Sequence, residues 1–412
     1  MGDELATRFL WSIARIGKRL WFRVALFALL GIASALLSIW LAPLVPADIS
    51  ARIGAEAVDA ILGIIASSML TVTIFSLSTM VSAYSAAASA ATPRATQLLQ
   101  QDSSAQNALA TFIGAFLFSL VGIIALSTGV YGSSGRLILF VVTIGVVIAV
   151  VITFIGWIDR LSSLGRMGET IDRVAKAAAE AVVARRLAPS LGGAPARRGP
   201  VGVFAVEART IGYVQRVDLG ALQEAAGEGV IDVAAVPGSF VSDGQALAFT
   251  ATRLTEKAEQ SIRNAFIVDA RRSFDQDPRF GVIVLSEIAS RALSPAVNDP
   301  GTAIDVLAAL TRVLAAARDE EPEPARYLRV HLPVIDADNM LEDCITPIAR
   351  DGASLVEVGL RLQRTLSAIA DIPGYASSAR RQARGALARG LAALTSEDDR
   401  ARLRREASWL DG

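Results

Sequence analysis

Residues 57–83 read AVDAILGIIASSMLTVTIFSLSTMVSA, and they decide the fold class. After Asp59 the stretch carries no charge, and it exceeds the roughly 20 apolar residues that a helix needs to cross ~30 Å of hydrocarbon. Three more windows meet the same criterion, at 24–44, 108–130 and 137–158, and none of them holds an ionised residue. The expected fold is therefore an α-helical membrane protein with four transmembrane helices within residues 1–165, Asp59 lying at an interface. A cleaved signal peptide is the competing reading of the first window. Its apolar stretch is too long for that, and Pro43 and Pro46 interrupt the region where a cleavage site would fall.

Positive charge sets the orientation. Arg8, Arg15, Lys18, Arg19 and Arg23 precede the first window, and Arg160, Arg166, Arg173 and Lys176 follow the fourth. The first loop offers only Arg52 beside Asp48 and Glu56, and the turn at 132–135 is followed by Arg136 alone. Both termini are expected on the cytoplasmic side, with the lipid bilayer as the first partner.

The second window is unusual in its hydroxyls. From 67 to 89, ten of twenty-three residues are Ser or Thr. Ser67, Thr71, Ser78, Ser82, Ser85 and Ser89 recur at steps of three, four or seven, which places them on one helix face. The helical pattern runs on to about Ala91, where Thr92-Pro93 should break it. Such a stripe lets helices pack closely and hydrogen-bond across the contact, or it lines a wet path for an ion or small solute. Apart from the interfacial Asp59, no carboxylate or arginine lies within the windows to mark a proton relay or voltage sensor.

Composition narrows the chemistry. Forty basic residues balance forty acidic ones, which gives no field for nucleic acid. One cysteine, Cys344, and one histidine, His331, exclude an intrachain disulfide and a four-ligand Cys/His zinc site. A Ser-His-Asp or Cys-His arrangement would have to use His331, which lies in the alternating, strand-like run 327–332. No cofactor and no metal are expected.

After the fourth window, 166–200 reads as an amphipathic helix to Leu187, followed by a Gly/Pro/Ala-rich linker at 189–200. Residues 201–252 change to short β-branched runs separated by turns, with a Pro237-Gly238 turn and an Asp243-Gly244 turn flanking a strand. This small β-module resembles half of the barrel-sandwich fold of lipoyl and biotinyl carrier domains. Those carry the cofactor on a lysine, and residues 189–256 contain none. Residues 253–412 read as mainly helical, with helices at 253–274, 281–293, 300–318, 354–372 and 377–410. The cytoplasmic part is thus expected to be α+β.

One dense polar constellation stands out. It spans Arg271-Arg272 to Asp277-Pro278 and Arg291 to Asp299-Pro300. Each Asp-Pro step suits a helix start, with Asp as N-cap and Pro at the first helical position. Arg271, Asp277, Arg291, Ser294, Asn298 and Asp299 nevertheless exceed what caps require. They suit an anion at helix N-termini, a hard cation, or a buried Arg–Asp network. The network is the expectation, with Asp299 neutralising Arg291 or Arg271.

The run Ser294-Pro295, Asn298-Asp299-Pro300 and Thr302-Ala303 resembles the signature of the bacterial membrane proteins grouped as domain of unknown function 2254. Matching pieces occur in the same order: the hydroxyl-rich window, Pro93-Arg94, Gly212-Tyr213-Val214-Gln215, Pro237-Gly238-Ser239-Phe240-Val241, Gln276-Asp277 and Phe280-Gly281. Together they cover about 57–317. Ala296 and Gly301 stand where the family more often has Gly and Phe, and the polar positions are kept. The resemblance implies topology and domain order, and it brings no established activity. The leading expectation is an oligomeric channel, transporter or sensor for a small ion or solute, regulated by its cytoplasmic domain. A non-conducting scaffold or envelope-stress partner is the second reading. A membrane-proximal enzyme has least to rest on.

Overall fold

The computed structural model describes residues 55–100, 103–128, 133–163, 165–197 and 202–411, with isolated helical positions between 25 and 33. The apolar window at 24–44 otherwise lies outside the described residues. The chain divides into two compact units, one from residues up to Ala86 with Leu99–Arg166, the other from Ala87–Leu98 with Met167 onward.

The first unit holds α1 (Ala55–Ala90), α3 (Ser103–Ser127) and α4 (Ser133–Ser163); the short α2 (Pro93–Gln100) falls largely in the second unit. Among the described residues, three helices are long and apolar enough to cross a membrane: Ala57–Ala88, Ala105–Ser127 and Arg136–Leu161. Val58, Leu62, Ile65 and Met69 of α1 pack with Phe112 and Phe118 of α3 and with Leu139, Val146 and Trp157 of α4. Gly122 leaves room for Leu62, whose Cδ1 would lie 3.0 Å from a methyl group placed there. Inside this core Trp157 Nε1 donates to Ser76 Oγ at 2.8 Å, so a buried polar pair is satisfied. The outward faces carry Ile64, Ile74, Phe75, Ile148, Ile152 and Ile155, all exposed. An apolar surface of that kind suits lipid rather than water.

The second unit is α+β. Its helical layer comprises α5 (Met167–Leu187), α8 (Pro278–Ala292), α9 (Pro300–Ala315), α10 (Ala337–Asp351), α11 (Val356–Ala370), α12 (Ala376–Ala393) and α13 (Glu397–Glu406). Their core is built from apolar stripes such as Val174–Ala178–Val182, Leu285–Ile288 and Leu307–Leu310–Leu314. Gly281 lets α8 approach α5 so closely that any side chain there would run into Ala178.

The strands are β1 (Gly193–Pro195), β2 (Phe204–Glu207), β3 (Gly212–Val217), β4 (Ile231–Val233), β5 (Phe240–Val241), β6 (Ala246–Thr250), β7 (Phe266–Asp269) and β8 (Tyr327–Leu332). They form a five-stranded sheet, β1-β8-β4-β6-β2, and a three-stranded sheet, β5-β3-β7. β8 pairs in parallel with β1 and β4, and the other pairs are antiparallel. Short helices α6 (Leu219–Ala226) and α7 (Glu256–Asn264) complete this layer around Val214, Leu222, Ile231, Ile262 and Val330.

The sheets therefore draw strands from beyond 201–252. The segment read as a linker supplies β1 at the sheet edge. The helix expected over 253–274 ends at Asn264, and Phe266–Asp269 pairs with β3 instead. Ile267 and Val268 favour the pleated surface once a partner strand stands beside them. A helix unforeseen in the sequence, α10, runs through Pro347, with Asp336 capping its start by accepting from Asp338 N at 3.0 Å.

Candidate functional site

The constellation resolves into two places of different character. The first centres on Asp277. Its side chain caps α8, accepting from Phe280 N at 3.3 Å, and its Oδ2 accepts from Arg272 Nε at 2.8 Å and Nη2 at 2.7 Å. Asp277 is only 2% exposed. Burial pushes its carboxyl above the ordinary carboxylate range, while the charge and hydrogen bond of Arg272 pull the other way. Arg272 also lies 5.2 Å from the Phe280 ring centroid, which adds a cation–π contact.

The surrounding loops are fixed onto this pair. Gln276 accepts from Val217 N through its side chain at 3.0 Å, and its carbonyl accepts from Arg185 Nη2 at 2.8 Å. Gly238, at φ +92, passes so close that a methyl group would collide with the Asp277 carboxylate and the Arg272 guanidinium. That turn is tied to β3 by Gly238 N to Val214 O, 2.8 Å, and Val214 N to Ser239 O, 2.9 Å. The Tyr213 and Phe240 rings meet edge to face with centroids 5.1 Å apart. Arg185, itself buried, is drawn down to about 10 by desolvation, the Asp277 charge opposing.

Beside the pair opens a cavity of about 480 Å³, within the usual size range of ligand pockets. Arg94, Tyr213, Arg271, Arg272, Phe280 and Glu287 line it. Arg94 pairs with Glu287 at 2.5 Å. Gln215 Nε2 donates to the Arg271 carbonyl at 2.8 Å, and the exposed Arg271 guanidinium has no partner among the described residues. Five of the short segments that carry the family resemblance thus meet here: Pro93-Arg94, Gly212–Gln215, Pro237–Val241, Gln276-Asp277 and Phe280-Gly281.

The second place is the α8–α9 turn, and it corrects an expectation. Asp299 accepts from Thr302 N at 3.0 Å and from Thr302 Oγ1 at 2.6 Å, which holds its carboxyl below the ordinary range. It is exposed, and among the described residues it makes no ion pair with Arg291 or Arg271. Ser294 Oγ donates to the Arg291 carbonyl at 2.7 Å, and Asn298 sits at φ +51, a conformation Asn tolerates better than most residues. Arg291 Nε is buried with no acceptor. The buried Arg–Asp pair exists, but it joins Asp277 to Arg272, a position adjacent to the expected Arg271. The six site residues are therefore not brought together.

The hydroxyl stripe is on the surface of its unit. Ser67, Thr71, Ser78, Ser82 and Ser85 are exposed, and the side chain of Ser89 lies outside the description. Ser67 Oγ donates to Gly63 O at 3.0 Å and Thr71 Oγ1 to Ser67 O at 3.0 Å. Ser76, which bonds Trp157 inside the unit, belongs to the opposite face of α1. Elsewhere, His331 Nδ1 lies 3.0 Å from the Pro195 carbonyl within the β1–β8 pairing, and Cys344 is buried, its thiol pushed up by desolvation. No group of three or more His, Cys, Asp or Glu that could hold a metal occurs among the described residues.

Helices long and apolar enough to cross a membrane, together with a second, α+β unit that carries a cavity, are the features expected of a membrane protein with a further folded unit. The chain belongs to the family described as Predicted membrane protein (DUF2254), which matches residues 17–368. It is 33% identical over 174 residues to Uncharacterized protein Rv1290c of Mycobacterium tuberculosis, a match covering 39% of this chain and 33% of that one. Uncharacterized protein Mb1321c of Mycobacterium bovis matches to the same extent. The chain spans about a third of the length of these curated relatives. No solved structure matches it.

Proposed function

We propose that this is a four-span protein of the bacterial inner membrane, both termini cytoplasmic, which assembles as a homo-oligomer and passes or senses a small ion or solute. The α+β unit is the regulator. The observation that carries the reading is the exposure of the hydroxyl stripe. At 3.6 residues per turn, Ser67, Thr71, Ser78, Ser82 and Ser85 lie about 165° around α1 from the packing residues Val58, Leu62, Ile65 and Met69. Ser67, Thr71, Ser78 and Ser82 therefore face away from the packing of α1 against α3 and α4. A few helices per chain enclose little space, whereas symmetric copies would turn their stripes inward around a common axis.

The bonds from Ser67 and Thr71 to their own helix backbone favour a second reading. Self-satisfied hydroxyls also suit a dry contact between copies of a scaffold that conducts nothing. Ion and solute flux in proteoliposomes separates the two. Wild-type protein should pass potassium, sodium, chloride or a small neutral solute above empty vesicles, and Ser78→Leu with Ser82→Leu should abolish it. Intact oligomer without flux of any of these leaves the scaffold.

A further inference from the structure

A second cavity of about 240 Å³ lies within the helical layer, apart from Arg94, Arg271 and the hydroxyl stripe. Its walls are aliphatic, with Leu314 from α9, Met340 from α10 and Ile372 from the α11–α12 connection. Three arginines border it, Arg185, Arg186 and Arg318, and no carboxylate does. Each arginine donates to a backbone carbonyl: Arg185 to Gln276 at 2.8 Å, Arg186 to Glu320 at 3.1 Å, Arg318 to Asp371 at 3.0 Å. A carbonyl satisfies a donor and leaves the charge in place. None of the three makes an ion pair among the described residues.

Arg185 sharpens the imbalance. It is 7% exposed, and its Nε and Nη1 are buried without an acceptor. The carboxylate whose charge reaches it, Asp277, gives its oxygens to Arg272 and Phe280 N. A buried guanidinium with two idle donors and no paired carboxylate puts uncompensated positive charge in the cavity wall, which favours an anion beside it. The Tyr375 hydroxyl also borders the cavity, and its partner is the weak acceptor Met340 Sδ at 3.4 Å.

We propose that this cavity binds a small amphiphilic anion, an acidic headgroup against the arginines with a short hydrocarbon part among Leu314, Met340 and Ile372. At ~30 Å³ per water in the liquid, the space admits roughly eight heavy atoms, the size of a six-carbon carboxylic acid. The acid is either free or part of an acidic lipid. This site stands independently of whether the stripe conducts.

Equilibrium dialysis of labelled hexanoate against the full chain in zwitterionic nanodiscs tests it. Saturable binding near one per chain is expected, displaced at least about tenfold less well by 1-hexanol, which lacks the charge, and by inorganic phosphate, which lacks the chain. Arg186→Gln with Arg318→Gln, two exposed positions that bond only backbone, should keep the melting temperature and weaken binding at least about tenfold. Repeating the titration in anionic-lipid nanodiscs separates the sources: an unchanged Kd means a free acid, and a raised one means that acidic lipid occupies the site. Binding no greater than to empty nanodiscs, equal competition by 1-hexanol or phosphate, or wild-type affinity in the folded double variant would each overturn the proposal.

Discussion

Asp277-Pro278 and Asp299-Pro300 look alike in sequence and have nearly the same backbone, φ −116 and ψ 87 against φ −114 and ψ 83. Both cap a helix with Pro in the first turn. One is buried and ion-paired to Arg272, whereas the other is exposed and bonded only within its own turn. A local motif therefore fixes the cap and leaves the surroundings open. What separates the two is the Pro237-Gly238 turn, which arrives from forty residues upstream to cover one carboxylate and not the other.

The largest effect expected from this contrast is at Asp277. Asp277→Ala removes the cap and leaves Arg272 unopposed, with Arg185 deprived of the charge that steadies it. Breaking a buried pair costs roughly 3–5 kcal/mol, so the variant should melt far below wild type in detergent. Gly238→Ala comes next. A strained left-handed conformation alone costs of order 1–3 kcal/mol, and here the methyl group also collides with the pair. Its loss of melting temperature should approach that of Asp277→Ala and should not add to it, because both break the same contact. Asp299→Ala should cost about 1 kcal/mol, and Asp299→Asn within a few tenths of nothing, since Asn caps about as well. A large loss in Asp299→Asn would mean that its carboxylate carries charge pairing after all.

The smallest effect is in the acid limb of stability, and its sign differs between the two. The folded value of Asp299 is lowered, so its contribution is present above the unfolded value of about 3.9 and is lost as pH falls through the folded one. The folded value of Asp277 is raised, so its contribution is present below about 3.9 and is lost as pH rises through the folded one. Asp299→Asn should flatten the acid loss of stability, and Asp277→Asn should steepen it. Melting curves from pH 3 to 6 in steps check both signs at once.

Much of the architecture was legible in the sequence because it rests on short-range rules. Apolar length announced three of the helices that can cross a membrane, Asp-Pro steps announced the starts of α8 and α9, and β-branched runs announced β2, β3 and β4. The errors came where a distant partner decides. Leu254, Ile262, Ala265 and Phe266 fit a helical stripe, yet Phe266–Asp269 becomes a strand because β3 is there to pair with it. Residues 337–351 carry no helix start of the Asp-Pro kind, and α10 forms because Leu341, Cys344, Ile345 and Ile348 are buried in the helical core. Arg271 and Arg272 are neighbours, and only the three-dimensional position of Asp277 selects the second. The hydroxyl stripe was legible as a face, but its exposure was not, since periodicity states which residues share a side and not what that side meets.

In the proposed assembly the stripe meets its own counterpart in another copy. Single-cysteine cross-linking in native membranes tests this directly, using a Cys344→Ser background so that no other thiol is present. Ser78→Cys on the stripe should form disulfide-linked dimers under mild oxidation, whereas Leu77→Cys, exposed on α1 but turned about 100° away by the helical step, should not. Equal cross-linking at both positions, or none at Ser78→Cys in a protein that remains oligomeric, would contradict the account.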